Sequence, residues 1–258
     1  MSQFDLSGKV AVITGSSRGI GRAIAEELAV NGAKVVISSR RQEACDQVAC
    51  VLNDRHGAGT ALAVAASISS KEALRNLVDA ARQAFGRIDI LVCNAASNPH
   101  YGSQMDIADE QFRKIFENNV LATNWLISMV APEMLERKDG SIIIVSSIGG
   151  MTSSATIGAY NISKAADFQL ARNLAVEFGR KGVRVNCIAP GLIRTDFARA
   201  LWDNPATLEK INRGTAMGRI GEPHEIAGAA VFLASPASSF MTGQSIVIDG
   251  GSTIMVGL

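Results

Sequence analysis

The chain has 258 residues, of which 47% are hydrophobic, and its formal net charge at pH 7 is +1. This composition excludes a disordered protein, and the near-neutral charge argues against a partner such as nucleic acid or a membrane surface. A chain of this length can bury a large core without disulfides or a structural metal.

Apolar runs rich in valine and isoleucine alternate with helical patterns from end to end. We predict strands at 9–14, 34–38, 60–65, 90–94, 141–146, 184–189 and 245–249. Helices are predicted at 19–30, 42–53, 71–85, 109–135, 159–178 and 223–234. This alternation predicts a single α/β domain over 1–258, with a doubly wound parallel sheet of about seven strands and helices on both faces. Ligands of such sheets bind at the carboxyl ends of the strands.

Several helix ends carry recognisable capping residues. Gly32, Gly86 and Gly179 stand where a left-handed C-terminal cap is expected. The sequence from Ser69 to Glu72 predicts a capping box for the third helix.

The cysteines and the polar first residues suggest a compartment. The four cysteines form no C-x-x-C pair and no cluster with histidine; they are Cys45, Cys50, Cys93 and Cys187. We therefore expect no metal site and a reducing environment. Met1–Asp5 has no secretory signal, and no apolar run is long enough to span a bilayer, so the expected location is cytoplasmic.

A glycine-rich turn follows the first predicted strand and opens the first helix. It runs from Thr14 to Gly21 and includes Gly15, Ser17, Arg18, Gly19, Ile20 and Gly21. Glycine permits positive φ and close approach of a ligand, and a helix start offers free N–H groups and positive dipole to a pyrophosphate. A strand before and a helix after are the context that a dinucleotide site requires. The alternative is a turn that needs glycine only for close packing.

The end of the second strand indicates which dinucleotide is bound. An NAD site usually places an acid here for the ribose 2′-hydroxyl, but this chain has Ser39 and Arg40. Arg18 lies at a helix N-terminus, where a cation opposes the dipole unless an anion is close. A 2′-phosphate would supply that anion and suit guanidinium groups, so we predict NADP(H). The alternative is that both arginines are solvated surface residues.

Three residues near the fifth strand are candidates for the chemistry. Ser147 follows that strand, and Tyr160 and Lys164 lie four positions apart on the next helix, on one face. An ammonium ~4 Å from a phenol contributes ~4 kcal/mol at an effective dielectric of ~20. We therefore expect Lys164 to lower the pKa of Tyr160 from its reference of about 10 towards neutral pH, as acid–base catalysis requires.

With these motifs, the chain resembles the short-chain dehydrogenase/reductase family over essentially its whole length. The matching pieces are Thr14–Gly21, Asn94-Ala95-Ala96, Asn119, Ser147, Tyr160 with Lys164, Pro190-Gly191, Thr242–Gln244 and Asp249–Gly251. The resemblance implies a Rossmann-like fold and an oxidoreductase that transfers a hydride between NADP(H) and a carbonyl or secondary alcohol.

The resemblance also implies a role for each matching catalytic residue. Tyr160 is the acid–base residue, Ser147 holds the substrate oxygen, and Lys164 binds the nicotinamide ribose and lowers the tyrosine pKa. Asn119 keeps a water in a proton relay from the lysine.

Further matches are expected to line the cofactor site. Ile193 and Thr195 meet the nicotinamide carboxamide, and the other residues implied are Asn94, Ala95, Pro190 and Gly191. Two positions depart from the family pattern, because Ala96 replaces a glycine and Ser67 replaces an aspartate that often follows the third strand. A hydroxyl at Ser67 can still meet the adenine.

The remaining predictions concern substrate, assembly and alternatives. A substrate lid is expected near 192–215, and its Phe197, Leu201 and Trp202 suggest an uncharged, apolar substrate unless they only pack on the sheet.

We predict a homotetramer, because helices 109–135 and 159–178 carry apolar residues on more than one face. Members of the family that the chain resembles commonly pair these helices.

The segment 94–101 is most similar to peroxisomal-type NADPH-dependent carbonyl and retinal reductases. The chain ends in Val256-Gly257-Leu258 rather than in a peroxisomal signal, so we do not expect that location. One alternative is a 3-oxoacyl thioester reductase that docks an acyl carrier on a basic patch of Arg137-Lys138 and Arg180-Lys181. Another is a regulator that senses NADP(H) without turnover.

Overall fold

A parallel sheet of seven strands forms the centre of the fold. The computed structural model describes residues 2–255, so the C-terminal tripeptide considered above lies outside the described residues. The strands are β1 Val10–Thr14, β2 Lys34–Ser39, β3 Ala61–Ala65, β4 Ile90–Cys93, β5 Gly140–Val145, β6 Val183–Pro190 and β7 Ser245–Ile248. Their order is β3-β2-β1-β4-β5-β6-β7, and every neighbouring pair is parallel. The predicted doubly wound sheet is confirmed.

Helices cover both faces of this sheet. They are α1 Gly19–Val30, α2 Gln42–His56, α3 Lys71–Phe85, α4 Asp109–Phe116, α5 Ala122–Arg137, α6 Gly158–Phe178, α7 Arg199–Trp202, α8 Pro205–Arg213 and α9 His224–Ala234. Within β1, Ile13 packs into a core with α1, α2 and α9, whereas its neighbour Val12 packs into a second core with α3, α5 and α6. Successive strand side chains point to opposite faces, so an almost wholly apolar strand buries both.

The predicted helix over 109–135 is wrong in one respect, because it is interrupted. A π-helical turn, Glu117–Leu121, separates α4 from α5. Asn118 and Asn119 are buried in this turn, 7% and 2% exposed, and both bind Ser97 of the loop after β4. Buried side-chain amides need hydrogen-bond partners, and the extra residue of the π turn orients these two side chains towards that loop.

Two of the predicted helix caps also need correction. Gly86 ends α3 with φ of +81°, as predicted, but Gly179 has φ of −58°. The chain continues there into a 3₁₀ turn and reverses at Gly182, where φ is +70°. Ser70 accepts from the Ala73 amide at 3.1 Å, but alanine in the third helical position cannot reciprocate, so only half of a capping box forms.

Candidate active site

The cofactor groove opens where the strand order reverses. β1 lies between β2 and β4, so the chain leaves β1 and β4 towards opposite sides and a crevice remains between their carboxyl ends. Asn94 closes the floor of this crevice: its Nδ2 donates to the carbonyl of Thr14 at 2.8 Å and of Gly15 at 3.2 Å. The Thr14 hydroxyl in turn accepts the backbone amides of Asn94 and Ala95, each at 3.1 Å.

The start of α1 has the features of an anion site. Gly15 and Gly19 have φ of +67° and +57°. The first turn carries no acid, and the cap residue Arg18 makes no side-chain hydrogen bond to the helix backbone. The first amide donors of this helix therefore have no side-chain cap, which fits the pyrophosphate of a dinucleotide.

Close packing also demands glycine in this turn, so the packing alternative is partly correct. A Cβ on Gly21 would lie 2.5 Å from both the Gly15 carbonyl oxygen and Asn94 Nδ2. A Cβ on Gly19 would lie 3.1 Å from Cγ2 of Thr195. Packing therefore explains Gly21 fully, whereas the uncapped donors of α1 still call for an anion.

The ends of β2 and β3 form the far side of the groove. The Ser39 hydroxyl lies 3.2 Å from the Cys45 sulfur, and the Ser39 carbonyl accepts from the Ala66 amide at 2.9 Å. Arg40 is exposed directly after Ser39. The Ser67 hydroxyl lies 2.8 Å from that of Ser69. The backbone is thus well fixed here, while the cation is free to meet a ligand from solvent.

Arg18 has a partner that the sequence did not suggest. Its Nη1 lies 3.0 Å from Oδ2 of Asp196, and the two side chains are 63% and 45% exposed. The carboxylate supplies the anion that a cation at a helix N-terminus requires. Arg18 therefore connects α1 to the segment after β6, and its contact with a 2′-phosphate stays a prediction.

The segment after β6 closes the groove from the other side. Pro190 ends β6, and the Gly191 amide donates to Ile248 of β7 at 2.9 Å. Ile193 is 5% exposed and pairs with Gly221 in a short bridge. Thr195 caps a 3₁₀ turn at Asp196–Ala198 and lies against Gly19, as the packing at that glycine shows. Ile193 and Thr195, which we predict to contact the nicotinamide carboxamide, thus lie on a segment that is held by β7 and by α1.

The segment expected to form a lid contains two helices that we did not predict, α7 and α8. Trp202 of α7 donates from Nε1 to the Thr195 carbonyl at 2.9 Å. The guanidinium groups of Arg194 and Arg199 lie 5.3 and 5.8 Å from the centroid of its ring. Phe197 is 55% exposed, and its ring centroid lies 6.0 Å from that of Tyr160.

The candidate catalytic residues lie on β5 and α6. Ser147 follows β5, and Tyr160 and Lys164 lie in the first two turns of α6. The Lys164 Nζ is 5.8 Å from the centroid of the Tyr160 ring. Because β5 and α6 pack through Lys164, whose Nζ donates to the Val145 carbonyl at 2.9 Å, the strand end and the helix start are fixed relative to each other.

Lys164 has a second partner, Asp167, which was not among the predicted site residues. Nζ lies 3.0 Å from Oδ2 of Asp167, and the two residues are 3% and 0% exposed. Burial alone would lower the pKa of Lys164, but the Asp167 carboxylate and the Tyr160 phenol raise it above its ordinary value. Burial raises the pKa of Asp167, and the ammonium opposes this.

The expected depression of the tyrosine pKa is wrong in this structure. Burial raises the pKa of Tyr160 and outweighs the Lys164 ammonium and the Ser147 hydroxyl, which lower it, while the Asp167 carboxylate raises it further. A lone ammonium would lower this pKa, but desolvation of the phenol and the carboxylate beside the ammonium reverse the direction.

Asn119 connects the loop after β4 to α6. Its Nδ2 donates to the carbonyl of Ser97 and to the hydroxyl of Ser163, both at 3.0 Å, and its Oδ1 accepts from the Ser97 amide at 2.8 Å. Its backbone carbonyl accepts from the Thr123 hydroxyl at 3.0 Å. Asn119 thus holds the loop against the helix that carries Tyr160, and its role in a water relay stays a prediction.

Sequence reasoning missed four residues of this framework: Thr14, Ser97, Ser163 and Asp167. The first three act through backbone or hydroxyl contacts that no spacing reveals. Asp167 had a detectable signal, because it lies three positions after Lys164, on the helix face that also carries the buried Phe168 and Ala171.

No group of three or more potential metal ligands occurs within residues 2–255. Across the same range, no helix combines the length and apolar character that crossing a bilayer would require.

A groove at the carboxyl ends of β1 and β4, with Ser147, Tyr160 and Lys164 at its mouth, is the arrangement expected of a nicotinamide-dependent oxidoreductase. A family model described as Enoyl-(Acyl carrier protein) reductase matches residues 15–253. The chain is 45% identical to the Bos taurus protein "Dehydrogenase/reductase SDR family member 4", over 96% of this chain and 88% of that one.

Two solved structures are also similar. A gluconate 5-dehydrogenase from Burkholderia cenocepacia, in complex with NADP and tartrate, is 33% identical with a TM-score of 0.93, over 98% of both chains. A 7 alpha-hydroxysteroid dehydrogenase, complexed with NADH and 7-oxo glycochenodeoxycholic acid, is 37% identical with a TM-score of 0.92, over 96% of both chains.

The chain belongs to the short-chain dehydrogenase/reductase family. It is therefore an oxidoreductase that uses a nicotinamide cofactor and transfers a hydride between that cofactor and a carbonyl or alcohol substrate. The predicted fold, family and reaction type are confirmed.

Proposed function

We propose that this chain is an NADP(H)-dependent carbonyl reductase that acts on a free, apolar carbonyl compound. The observation that carries the proposal is the placement of Ser147, Tyr160 and Lys164 at the carboxyl end of β5 and the start of α6, beside the uncapped turn of α1. The first test is turnover: the purified chain is assayed with a panel of ketones and aldehydes and with each nicotinamide cofactor. Tight NADPH binding without turnover of any compound would favour the sensing regulator instead.

Each of the three residues has a distinct task in the proposed reaction. The reduced nicotinamide, when bound, supplies the hydride to the carbonyl carbon. Tyr160 donates the proton to the carbonyl oxygen, and the Ser147 hydroxyl stabilises the charge that develops there. Lys164, held by Val145 and Asp167 with Nζ 5.8 Å from the centroid of the Tyr160 ring, would bind the nicotinamide ribose.

Charge at the end of β2 supports the preference for NADP(H). Ser39, Arg40 and Arg41 follow one another there, where an NAD site usually has an acid, and both arginines are exposed. The gluconate 5-dehydrogenase structure contains NADP, whereas the hydroxysteroid dehydrogenase structure contains NADH, so the family alone does not decide the preference. The measurement is kcat/KM with each cofactor at a fixed substrate concentration. An equal or higher value with NADH contradicts the preference.

The lid supports an uncharged substrate. Phe197 is half exposed and faces Tyr160 rather than the sheet, so its ring is available to a substrate at the point where the proton is transferred. We propose 192–215 as the lid on this basis. Phe197→Ala should raise KM for apolar ketones more than for small polar ones; equal effects on both would contradict the apolar preference.

Topology argues against the carrier-docking alternative. The pair Arg137-Lys138 ends α5 immediately before β5 begins, and Arg180-Lys181 follows α6 immediately before β6 begins. Both pairs therefore lie at the amino ends of the strands, on the edge opposite the active site, and not near its mouth, where the carrier-docking alternative would need a basic patch. The matching family model is described as an acyl-carrier-protein reductase, so the carrier-linked substrate still has to be tested. Efficient reduction of a 3-oxoacyl carrier substrate, with an association rate that falls steeply with salt, would restore it.

We also propose a homotetramer. Leu121, Ile162 and Val176 are 42%, 49% and 85% exposed on the π turn and α6, although they are large and apolar. Exposed apolar residues on neighbouring helices indicate a further surface to be covered. Sedimentation at micromolar concentration tests this, and a purely monomeric chain would contradict it.

The cytoplasm is proposed as the location. All four cysteines are free thiols, and three of them are buried. Free thiols persist in reducing compartments. Microscopy of a tagged full-length chain tests the proposal.

A further inference from the structure

A buried ion pair lies directly behind the proposed proton donor. The Asp167 carboxylate and the Lys164 ammonium are 3.0 Å apart on successive turns of α6, and each is almost completely shielded from solvent. Oδ1 of Asp167 has no hydrogen-bond partner within residues 2–255, so the Lys164 ammonium compensates most of the charge, with a smaller contribution from the Ser146 hydroxyl. An apolar residue would cost less at such a position, and the carboxylate therefore calls for an explanation.

We propose that Asp167 is a positioning residue that weakens the field of the Lys164 ammonium at Tyr160 and so, together with burial, keeps the phenol protonated as the acid of carbonyl reduction. This inference rests on the proposed function, because it concerns the proton that Tyr160 gives in that reaction. Reduction needs a protonated tyrosine as acid, whereas oxidation of an alcohol needs the phenolate as base.

Lys164 and Asp167 act on the Tyr160 phenol in opposite directions. A lone ammonium beside a phenol favours the phenolate, and a carboxylate at 3.0 Å from that ammonium cancels part of its field. The same carboxylate holds the ammonium in place, since Nζ is shared between Oδ2 of Asp167 and the carbonyl of Val145. Lys164 thus remains a charged donor for a ribose without making Tyr160 a strong base.

Other groups around the pair do not compete with it. Two thiols face it from the sheet: burial raises the pKa of Cys93, and burial raises the pKa of Cys187 to about 12. Both stay neutral over the working range. From the lid, Phe197 presents an uncharged ring, and from the end of β5 the Ser147 hydroxyl lowers the pKa of Tyr160. Asp167 is therefore the one anion among the groups that shift this tyrosine.

The chain offers a direct measurement, because it contains two tyrosines. Tyr101 is 53% exposed, so Tyr101→Phe leaves Tyr160 as the single phenol, and the near-ultraviolet phenolate band then reports its protonation. The full chain is titrated without added cofactor. At pH ~9, about one unit below the phenol reference, we expect little phenolate in Tyr101→Phe and roughly tenfold more in Tyr101→Phe with Asp167→Asn, the effect of removing one nearby like charge.

The matched control is Asp109→Asn in the same background. Asp109 also pairs with a cation on its helix, Arg113, but the two side chains are 80% and 72% exposed. This control should titrate like the background. Unchanged or reduced phenolate in Asp167→Asn overturns the proposal. If Asp167→Asn does not fold, Tyr101→Phe alone still tests the proposal, because a Tyr160 in that variant that titrates below the reference value of a phenol would also overturn it.

The pH profile of turnover gives a second readout. In Asp167→Asn, the alkaline limb of reduction should move to lower pH, since the phenol loses its proton earlier, and the acid limb of oxidation should move to lower pH for the same reason. The ratio of kcat for oxidation to kcat for reduction, each measured at saturating substrate and cofactor, should therefore rise at neutral pH. A purely structural role would reduce both directions alike and leave the limbs in place. The titration needs no substrate, so a chain that shows the phenolate shift but reduces no carbonyl would refute the proposed function and not the electrostatic role.

Discussion

The two ends of the cofactor groove are built in opposite ways. At the nicotinamide end, Lys164 and Asp167 are buried, and the hydrogen bonds around Asn119 and Val145 connect β4, β5 and α6. At the adenosine end, Arg40 is exposed on a backbone fixed by Ser39. Proton transfer requires atoms held within tenths of an ångström, whereas recognition of a phosphate tolerates a mobile cation.

This difference teaches where substitutions will have sharp effects. At the buried end a change disturbs several coupled groups at once, so effects on rate should be large and difficult to compensate. At the exposed end each arginine acts almost alone through charge, so cofactor preference should change in modest steps.

The largest effect is expected at the buried end, for Tyr160→Phe. The change removes the proton donor and little volume, so turnover should fall by ~10²–10⁴-fold while NADPH binding stays intact. Steady-state kinetics and fluorescence titration of NADPH measure the two quantities, with Tyr101→Phe as the matched control. More than about a tenth of the wild-type rate would show that Tyr160 is not the acid.

At the exposed end, Arg40→Ala should weaken NADPH binding by roughly tenfold to a hundredfold and hardly change NADH binding. A charge-assisted hydrogen bond contributes ~1.5–3 kcal/mol, and only NADPH has the 2′-phosphate. Arg55→Ala, on an exposed position at the other end of α2, is the control. Equal losses for both cofactors would place Arg40 elsewhere than at the 2′-phosphate.

The floor between the two ends is tested by Asn94→Ala. The change leaves the buried Thr14 carbonyl and the Gly15 carbonyl without their shared donor, so the free energy of unfolding should fall by ~1–3 kcal/mol. Denaturant unfolding measures it, and the exposed Asn173→Ala is the control. A loss below ~0.5 kcal/mol would mean that water replaces the amide.

The smallest effect is expected outside the groove, for Lys138→Glu with Lys181→Glu. Both lysines are exposed on the opposite edge of the sheet, so kcat/KM for a free ketone should change by less than about twofold, and its salt dependence should remain weak. A severalfold loss with a carrier-linked substrate would instead indicate docking on that edge.

Sequence patterns predicted the sheet because buried parallel strands are rich in valine and isoleucine. They also indicated the glycine-rich turn, Asn94 and Ser147, because each of these follows a strand. The position of the basic pairs could also have been predicted, since a helix that returns to a parallel strand ends at the sheet's amino edge. The net direction of the pKa of Tyr160 could not, because it depends on desolvation and on the rotamer that brings Asp167 to Lys164. The π turn that interrupts the long helix could not be predicted either, because the sequence does not show whether an asparagine side chain is buried or exposed.

The π turn between α4 and α5 limits how the length of this chain can evolve. It accommodates one residue more than an α-helical turn would, and each residue of an α-helix rotates the chain by about 100°. Deleting one residue from Glu117–Leu121 would produce a seamless helix and rotate Leu126 and Val130 away from the sheet that now buries them. Natural selection can therefore exchange the residues of this turn far more readily than it can remove one of them.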